Sequence, residues 1–413
     1  MTMILFLMLQ VTPGISFDQL AQRALIQNKR LQAAREQLRQ AEARLTQAGL
    51  RPNPSLDVSG STDVVFANEG ETGFAVTLSQ PFETGGKRTR RIRVAEADAE
   101  LAKAEIADVE RELLGQLRIA YLRAVELSSR LKVLDRTRGL NQQMVQVMTV
   151  RLDAGDASRL DSHLLQAENN RVEAQRLQAE SQLTEQMFEI RKLAGIPPDE
   201  SLSLSSPAGT PPLLSSEADL AAAALRSRPD LQAARLREAL AGAGVALARS
   251  LAVPNITGSV RYAREPNVSR FATATLPRAF EKENVLDFGI SIPLPFKNRE
   301  QGNILEATSK VAQAAAEREA LENTIRTEVA AAVRRYQSAS RTLELIRTGV
   351  VDEAEAGFSI TQLAYRLGDA RLADVIVQQR SLIDAQLAEL SAQAEVAAAH
   401  ANLELAVGTV PGR

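Results

Sequence analysis

The chain carries one sequence pattern twice, and this internal duplication constrains its fold more than any other feature. Residues 31–35 read LQAAR and return at 231–235. Residues 155–161, which begin Gly-Asp-Ala and end in Asp, return at 368–374. The interval between copies grows from about 200 to about 214 residues along the chain, and one insertion in the 265–283 loop explains the change. Two copies of one structural unit are therefore predicted.

Each copy is predicted to fold as a helix, a strand pair, a very long helix and a final helix. Pro and Gly residues mark the boundaries, since they end helices and form turns. The predicted parts are an apolar N-terminal segment (1–14), a first repeat (15–195, opening helix about 17–49, strands about 54–82), a Pro- and Ser-rich connector (196–215), a second repeat (216–408, opening helix about 216–250, strands about 255–293) and a C-terminal tail (409–413).

The apolar N-terminal segment allows two interpretations. It is either the remnant of a secretion signal that lacks its basic flank, or an ordinary buried segment. Thr12-Pro13-Gly14 breaks it directly before the first helix. This break favours the signal remnant.

The predicted strands alternate in polarity with a period of two. Phe74, Val76 and Leu78 alternate with Ala75, Thr77 and Ser79. Each run has about ten residues, the length that a tilted strand needs to cross a bilayer. One face would then meet lipid and the other water. The alternation fits a half-buried antiparallel sheet of a soluble protein equally well.

Long helical rods follow both strand pairs. Each carries a seam of apolar residues at alternating steps of four and three, as in coiled coils. A helix of about 65 residues is roughly 100 Å long and needs other helices beside it. The two seams are Leu113, Leu117, Ala120, Ala124, Leu127, Leu131 and Leu134 in the first repeat, and Ala332, Tyr336, Ala339, Leu343, Ile346 and Val350 in the second.

Composition argues against several classes of function. The 51 acidic and 49 basic residues nearly cancel, which gives no reason to expect a nucleic-acid partner. There is no Cys and there are only two His, His163 and His400, far apart in sequence, so no metal site is expected. No phosphate-binding loop or nucleophile motif is present either. We therefore expect neither a cofactor nor catalysis.

Four strands in one chain cannot close on themselves, and open strand edges are not tolerated in lipid. If the strands do lie in a membrane, several copies must pool them in a closed ring. The sequence alone does not fix the number of copies.

Three motifs resemble those of the TolC-type outer-membrane factors, and in particular their heavy-metal efflux branch. They are Arg228-Pro229-Asp230-Leu231, Gln80-Pro81-Phe82 with Gly86-Lys87-Arg88, and Pro293-Leu294-Pro295-Phe296 with Asn298-Arg299. The resemblance implies a mainly α fold with a small β part, the TolC-like α/β-barrel. It implies a homotrimer in which the strands form one outer-membrane barrel and the helices form a periplasmic tunnel.

The same resemblance implies the function and the partners. The trimer would conduct cargo passively from an inner-membrane pump of the resistance-nodulation-division type and a periplasmic adaptor protein to the exterior. Outer-membrane lipid would surround the strands. Metal cations are the expected cargo, with organic solutes or drugs as the alternative. A soluble coiled-coil scaffold is the competing class, and the paired strands at matched positions argue against it.

The turns that end the two rods are the expected functional sites. Asp161 and Asp374 would form carboxylate rings around a threefold axis, attracting cations at a narrow aperture. The resemblance places Tyr365 within bonding reach of Asp161. These acids could instead cap the returning helices. That reading is favoured for Asp156 and Asp369, and the aperture for Asp161 and Asp374.

The resemblance also assigns a docking surface for the adaptor to the two tips. Helix ends with exposed Leu and Arg side chains suit docking of another helix. Ordinary solvated helix ends are the alternative. The docking residues would be Arg151, Leu152, Gly155, Arg366, Leu367 and Gly368.

Overall fold

The computed structural model describes residues 14–62, 72–154, 158–205, 216–268 and 280–409. The predicted N-terminal segment, except Gly14, and the connector from 206 to 215 lie outside these ranges. In chain order the elements are α1 (Phe17–Gln27), α2 (Lys29–Gly49), β1 (Ser55–Thr62), β2 (Thr72–Phe82), α3 (Lys87–Asp153), α4 (Arg159–Ala194), α5 (Glu217–Ser227), α6 (Pro229–Leu251), β3 (Ile256–Val268), β4 (Phe280–Ser291), α7 (Gln301–Leu345), a π-helical segment (Ile346–Val351), α8 (Asp352–Leu367) and α9 (Leu372–Val407).

The chain divides into two compact units. The first contains the helical tips and the parts of the helices nearest to them, and the second contains the sheet with the adjoining helix ends. Their bounds are Met1–Glu36, Ala104–Gln232 and Ala320–Arg413 for the first, and Gln37–Lys103 and Ala233–Glu319 for the second.

The opening helix of each repeat is broken, which corrects the prediction of continuous helices over 17–49 and 216–250. Asn28 leaves the helical conformation, with φ −63° and ψ 121°. Its side-chain Oδ1 accepts a hydrogen bond from the Leu31 backbone N–H (3.0 Å), and its Nδ2 donates to the Leu193 carbonyl (2.9 Å). The break thus places a capping side chain at the start of α2.

The break in the second repeat has a different chemistry. Arg228 precedes Pro229, which disfavours the helical conformation at the preceding residue. The buried Arg228 guanidinium binds the Asp230 carboxylate (2.6 Å), Glu328 (2.5 Å) and the Ala406 carbonyl (3.1 Å). An ion-pair network therefore occupies the place that a single amide takes in the first repeat.

The first rod, α3, is one uninterrupted helix of 67 residues. Its predicted seam is confirmed by burial: Leu117, Ala124 and Leu134 have no exposed surface. Tyr121 packs edge-on against Phe17, with ring centroids 6.0 Å apart, and its hydroxyl donates to the Ser205 carbonyl at 2.5 Å. In the part of the chain that is described, no helix is long and apolar enough to cross a membrane.

The second rod contains the π-helical segment between α7 and α8. The predicted seam holds at Tyr336 and Ala339, which are buried. It fails at Val350, which is 44% exposed, whereas the next residue, Val351, is only 8% exposed. A π turn holds one more residue than an α turn, so the seam advances by one position.

The four strands form one antiparallel sheet in the order β1-β2-β3-β4. Val58, Val76, Tyr262 and Leu286 form one row across the sheet, and Asp57, Thr77, Arg261 and Asp287 form the next. Successive rows face opposite sides. One face is therefore apolar and exposed, with Phe288 and Ile290 both 78% exposed, and the other is polar. β1 and β4 form no strand pairing on their outer edges within the described part of the chain.

Candidate functional site: the two helix tips

The first tip joins α3 to α4. Gly155, a predicted docking residue, lies outside the described residues together with Asp156 and Ala157. α4 starts after Ser158, whose Oγ accepts a hydrogen bond from the Leu160 N–H at 3.1 Å. Asp161 follows in the first helical turn and is partly exposed. A carboxylate at this position also interacts favourably with the positive end of the helix dipole.

The second tip joins α8 to α9. Gly368 adopts φ +87°, which favours glycine, and this conformation ends α8. The Asp369 N–H donates to the Ala364 carbonyl at 2.9 Å, which closes the helix end. The carboxylate of Asp374 accepts a hydrogen bond from the Arg371 N–H at 3.0 Å. Asp374 therefore supplies the cap that the sequence favoured for Asp369, while its side chain stays exposed.

An apolar cluster lies behind both tips. Met148, Leu165, Leu372 and Ile376 are buried in it, and they come from α3, α4 and α9. Tyr365 of α8 packs against this cluster and is partly buried. Among the described residues no hydrogen bond joins Tyr365 to Asp161. The structure thus brings Tyr365 to the helices of the first tip through apolar packing.

The other predicted docking residues lie on the surface of the tips. Arg151, Arg366 and Gly368 are exposed, Leu367 is 70% exposed, and Leu152 is partly buried. The exposed Leu367 beside Arg366 at the second tip is a surface that another helix can bind.

A buried polar layer lies next to the apolar cluster, and the sequence reasoning missed it. Glu168 has no exposed surface, and its carboxylate binds Arg171 of α4 at 2.8 Å and Arg380 of α9. The hydrogen bonds that the Arg171 guanidinium donates to the Glu168 carboxylate raise the pKa of Arg171. Beside Arg380, Gln379 donates to Asn141 of α3 at 2.9 Å, and both amides are buried.

A signal for this layer was present in the sequence. Leu165, Glu168 and Val172 follow each other at steps of three and four, which places Glu168 on the apolar seam of α4. A charged residue at such a position is buried only when it is paired.

Within the described residues, no group of three or more His, Cys, Asp or Glu side chains could hold a metal ion.

The profile of the family described as "Outer membrane efflux protein" matches residues 20–196 and 220–409, and so spans both repeats. The chain belongs to the outer membrane efflux protein family. This match confirms the predicted family and excludes the soluble scaffold. The efflux protein therefore lies in the outer membrane, with a large periplasmic part.

Two relatives match this efflux protein over most of its length. The Cobalt-zinc-cadmium resistance protein CzcC of Cupriavidus metallidurans is 25% identical over 366 residues, which cover 87% of this chain and 82% of that protein. The Pyoverdine export outer membrane protein OpmQ of Pseudomonas putida is 26% identical over 404 residues, which cover 89% and 80%.

Among solved structures, the outer-membrane channel OprN superposes with a TM-score of 0.76 at 20% identity, covering 95% of this chain and 89% of that one. At this identity the likeness shows the fold alone. The TolC-like fold predicted for the efflux protein is thereby confirmed. Both the family and the fold are those of efflux channels.

Proposed function

We propose that this outer-membrane efflux duct is a homotrimer that conducts metal cations from a periplasmic adaptor and a resistance-nodulation-division pump to the exterior. It is not an enzyme and moves its cargo passively. The observation that carries the proposal is the family match over both repeats.

The sheet supports an assembly of several copies. Its apolar face is exposed, and within the described residues no strand pairs with the outer edges of β1 and β4. Such edges are not tolerated in lipid, so β4 of one copy pairs with β1 of the next until the ring closes. Light scattering in detergent tests the number of copies. Three times the chain mass of 44.8 kDa is expected, and a monomeric mass would contradict the proposal.

The cargo proposal rests on the relative named for cobalt, zinc and cadmium resistance. Its test is growth of a metal-sensitive host that lacks its own duct and expresses this chain with its cognate pump and adaptor. We expect restored growth in one or more of these metals and lower cell-associated metal. Restored export of a siderophore, without any change in metal tolerance, would instead favour organic cargo. That second candidate is supported by the match to the pyoverdine export protein.

The aperture is proposed at Asp161, Asp374 and Tyr365. Asp161 and Asp374 each lie in the first turn of a helix that returns from a tip, and three copies would place six carboxylates around the axis. Like charges held together attract cations. Tyr365 packs against the cluster behind the tips and would hold the second tip against the first.

The double substitution Asp161→Ala with Asp374→Ala tests the aperture. It should raise single-channel conductance in planar bilayers and weaken block by divalent cations. Asp199→Ala, an exposed acid outside the tips, is the control and should change neither. Unchanged conductance and block in the double variant would remove these residues from the aperture.

The adaptor is proposed to bind the tip surface formed by Arg151, Leu152, Gly155, Arg366, Leu367 and Gly368. The most exposed apolar contact would be Leu367. Leu367→Glu should reduce copurification of the adaptor, because it places a charge in an apolar contact. Leu177→Glu, at an equally apolar and 54% exposed position of α4, is the control and should not affect it. Equal retention of the adaptor by both variants would contradict the assignment.

A further inference from the structure

The apolar face of the sheet, which faces lipid in the outer membrane, ends in basic residues on the hairpin formed by β3 and β4. Along β4 its members include Ile290, Phe288 and Leu286, which are 78%, 78% and 58% exposed. The same face continues with Asn284 and Lys282, because side chains two positions apart share a face. This face of β4 therefore changes from apolar to polar to basic toward the loop that joins β3 to β4.

Strand β3 shows the same change. Val260 and Tyr262 are 41% and 44% exposed on the apolar face, and Arg264 follows them as an exposed residue. Arg264 lies opposite Asn284, so Lys282 is its diagonal neighbour across the two strands. Diagonal neighbours of this kind are about 7–8 Å apart. Arg264 and Lys282 thus form one exposed basic pair.

The basic pair lies where the hydrophobic band of an outer-membrane barrel ends. Lys282 is nine residues from Ser291, the last residue of β4 before α7, which is roughly 30 Å along the strand. At a strand tilt of about 40° this corresponds to about 23 Å along the membrane normal, close to the roughly 25 Å height of the hydrophobic band. Because α7 begins the periplasmic side, the basic pair lies at the extracellular border of the band.

Tyr262 marks the same border independently. Its ring belongs to the apolar face, and its hydroxyl donates a hydrogen bond to Asn284 Oδ1 at 2.9 Å. Tyr side chains are enriched at the boundary between lipid and water, where one end is apolar and the other polar. The headgroups of the outer leaflet are therefore expected at the level of the basic pair.

Neither cation of the pair has an ionic partner. In the described part of the chain, the side chains of Arg264 and Lys282 form no ion pair and no hydrogen bond. On the opposite, polar face, Arg261 binds both Asp287 (2.9 Å) and Glu265 (2.5 Å). The acids of β3 and β4 whose side chains are described all lie on that polar face, at positions 265, 283 and 287.

A neighbouring copy would not supply the missing anion either. The lipid-facing positions of β1 and β2 at the same level are Gly60, Thr62, Thr72 and Phe74, none of which is charged. The first hairpin therefore has neither the basic pair nor an acid that could neutralise it.

An unpaired cation on a lipid-facing strand needs an anion from the membrane. Arg and Lys are costly at the middle of the bilayer and are tolerated near its borders. A guanidinium can donate two parallel hydrogen bonds to a phosphate, and an ammonium adds a compact positive charge. One guanidinium and one ammonium on adjacent strands suit a single phosphate group.

We propose that Arg264 and Lys282 bind a phosphate group of lipid A, the phosphorylated lipid of the outer leaflet of the outer membrane. The acyl chains of this lipid would lie along Leu286, Phe288 and Ile290, directly below the pair. A free phosphate ion lacks these chains and would gain only the contacts with two exposed charges. The inference requires the outer-membrane location and is independent of the cargo and of the number of copies.

Titration of the full-length protein in detergent with bisphosphorylated lipid A tests the site. Binding is followed by thermophoresis of the fluorescently labelled protein. Arg264→Gln with Lys282→Gln should weaken the affinity about thirtyfold, and each single substitution about fivefold, since each cation near an anionic lipid surface contributes roughly a factor of five. Dephosphorylated lipid A should bind the wild-type protein as weakly as bisphosphorylated lipid A binds the double variant.

A matched control removes the same charge at the other end of the sheet. Lys297→Gln with Arg299→Gln changes two exposed basic residues that follow β4 on the periplasmic side. This variant should bind bisphosphorylated lipid A as the wild-type protein does. A loss equal to that of Arg264→Gln with Lys282→Gln would show that lipid A responds only to net charge, and would overturn the site.

Other outcomes would also overturn the proposal. One is equal affinity of the double variant and the wild-type protein for bisphosphorylated lipid A. Another is binding of inorganic phosphate alone as tightly as lipid A, which would make the free ion the ligand. If the double variant fails to assemble, the single substitutions decide, and wild-type affinity in both of them would overturn the site.

The measurements also separate this inference from the proposed function. Single-channel conductance of the double variant should equal that of the wild-type protein, because the pair faces lipid and not the water-filled side. A protein that binds lipid A through this pair but restores no metal tolerance would contradict the proposed cargo and leave the lipid site in place.

Discussion

The two long rods of the duct carry the same heptad pattern of apolar residues, yet they keep this seam buried in different ways. α3 runs for 67 residues without interruption and keeps its apolar seam on one face throughout. The rod of the second repeat passes through six residues of π-helix between α7 and α8. After that segment the seam continues at Val351 and Ala354, both buried, one position later than the heptad requires.

This difference teaches that the position of the seam matters more than the regularity of the helix. A π segment absorbs one extra residue at the expense of good hydrogen-bond geometry, and the apolar face stays against its neighbours. The opening helices show the same principle, since Asn28 and Arg228 break them at equivalent places with different chemistry.

The largest difference in stability is expected between two deletions, each of one glycine, one in the first rod and one in the second. Deletion of Gly139 should rotate the end of α3 by about 100° and withdraw Met148 from the cluster behind the tips. The free energy of unfolding should fall by about 4 kcal/mol. Deletion of Gly349 should convert the π segment to α-helix and keep Val351 on the seam, with a change below about 1 kcal/mol. Thermal unfolding of the detergent-solubilised protein, followed by circular dichroism, measures both. Equal losses would show that the π segment does not absorb the residue.

The next effect compares the two breaks. Arg228→Ala removes the nearest cation from Asp230 and Glu328, and it should cost about 3 kcal/mol of unfolding free energy. Asn28→Ala removes a cap and one buried hydrogen bond, at a cost of about 1–2 kcal/mol. Arg226→Ala, at an exposed site nearby, is the control. A larger loss for Asn28→Ala would reverse our ranking of the two breaks.

A smaller difference in stability, between substitutions at two adjacent residues, shows where the apolar seam continues after the π segment. Val351→Ala should destabilise the protein by about 1–2 kcal/mol, because Val351 packs with Ala354 and Ala385. Val350→Ala should change stability by less than about 0.5 kcal/mol. The opposite order would place the seam where an unbroken heptad puts it.

The smallest effect is a pH dependence to which Asp230 of the second repeat contributes. Burial raises the pKa of Asp230, but hydrogen bonds and charge from Arg228 outweigh it and hold this pKa below its usual range. The resulting stability is complete above the ordinary carboxyl pKa of about 3.9 and is lost as the pH falls through the lower folded value. The melting temperature should therefore drop below about pH 4. The fall in melting temperature should be smaller in Arg228→Ala. An equal fall in both proteins would show that groups other than Asp230 cause it.

Sequence reasoning predicted the periodic features well. The alternation at Phe74, Val76 and Leu78 became β2, and the seam through Leu117 and Leu134 is buried. It predicted less about single positions. The helix break at Asn28 carries no Pro or Gly, and the burial of Glu168 depends on Arg380, which lies 212 residues away.

The sequence by itself determined the duplication, the order of elements, the apolar face of the strands and the seam of the first rod, because these follow from periodicity along the chain. Only the tertiary structure decided the one-residue advance of the second seam, the capping role of Asp374 and the partners of Glu168. These features depend on which groups meet in space, and the energy of a buried charge or of an inserted residue is set by neighbours that are distant in sequence.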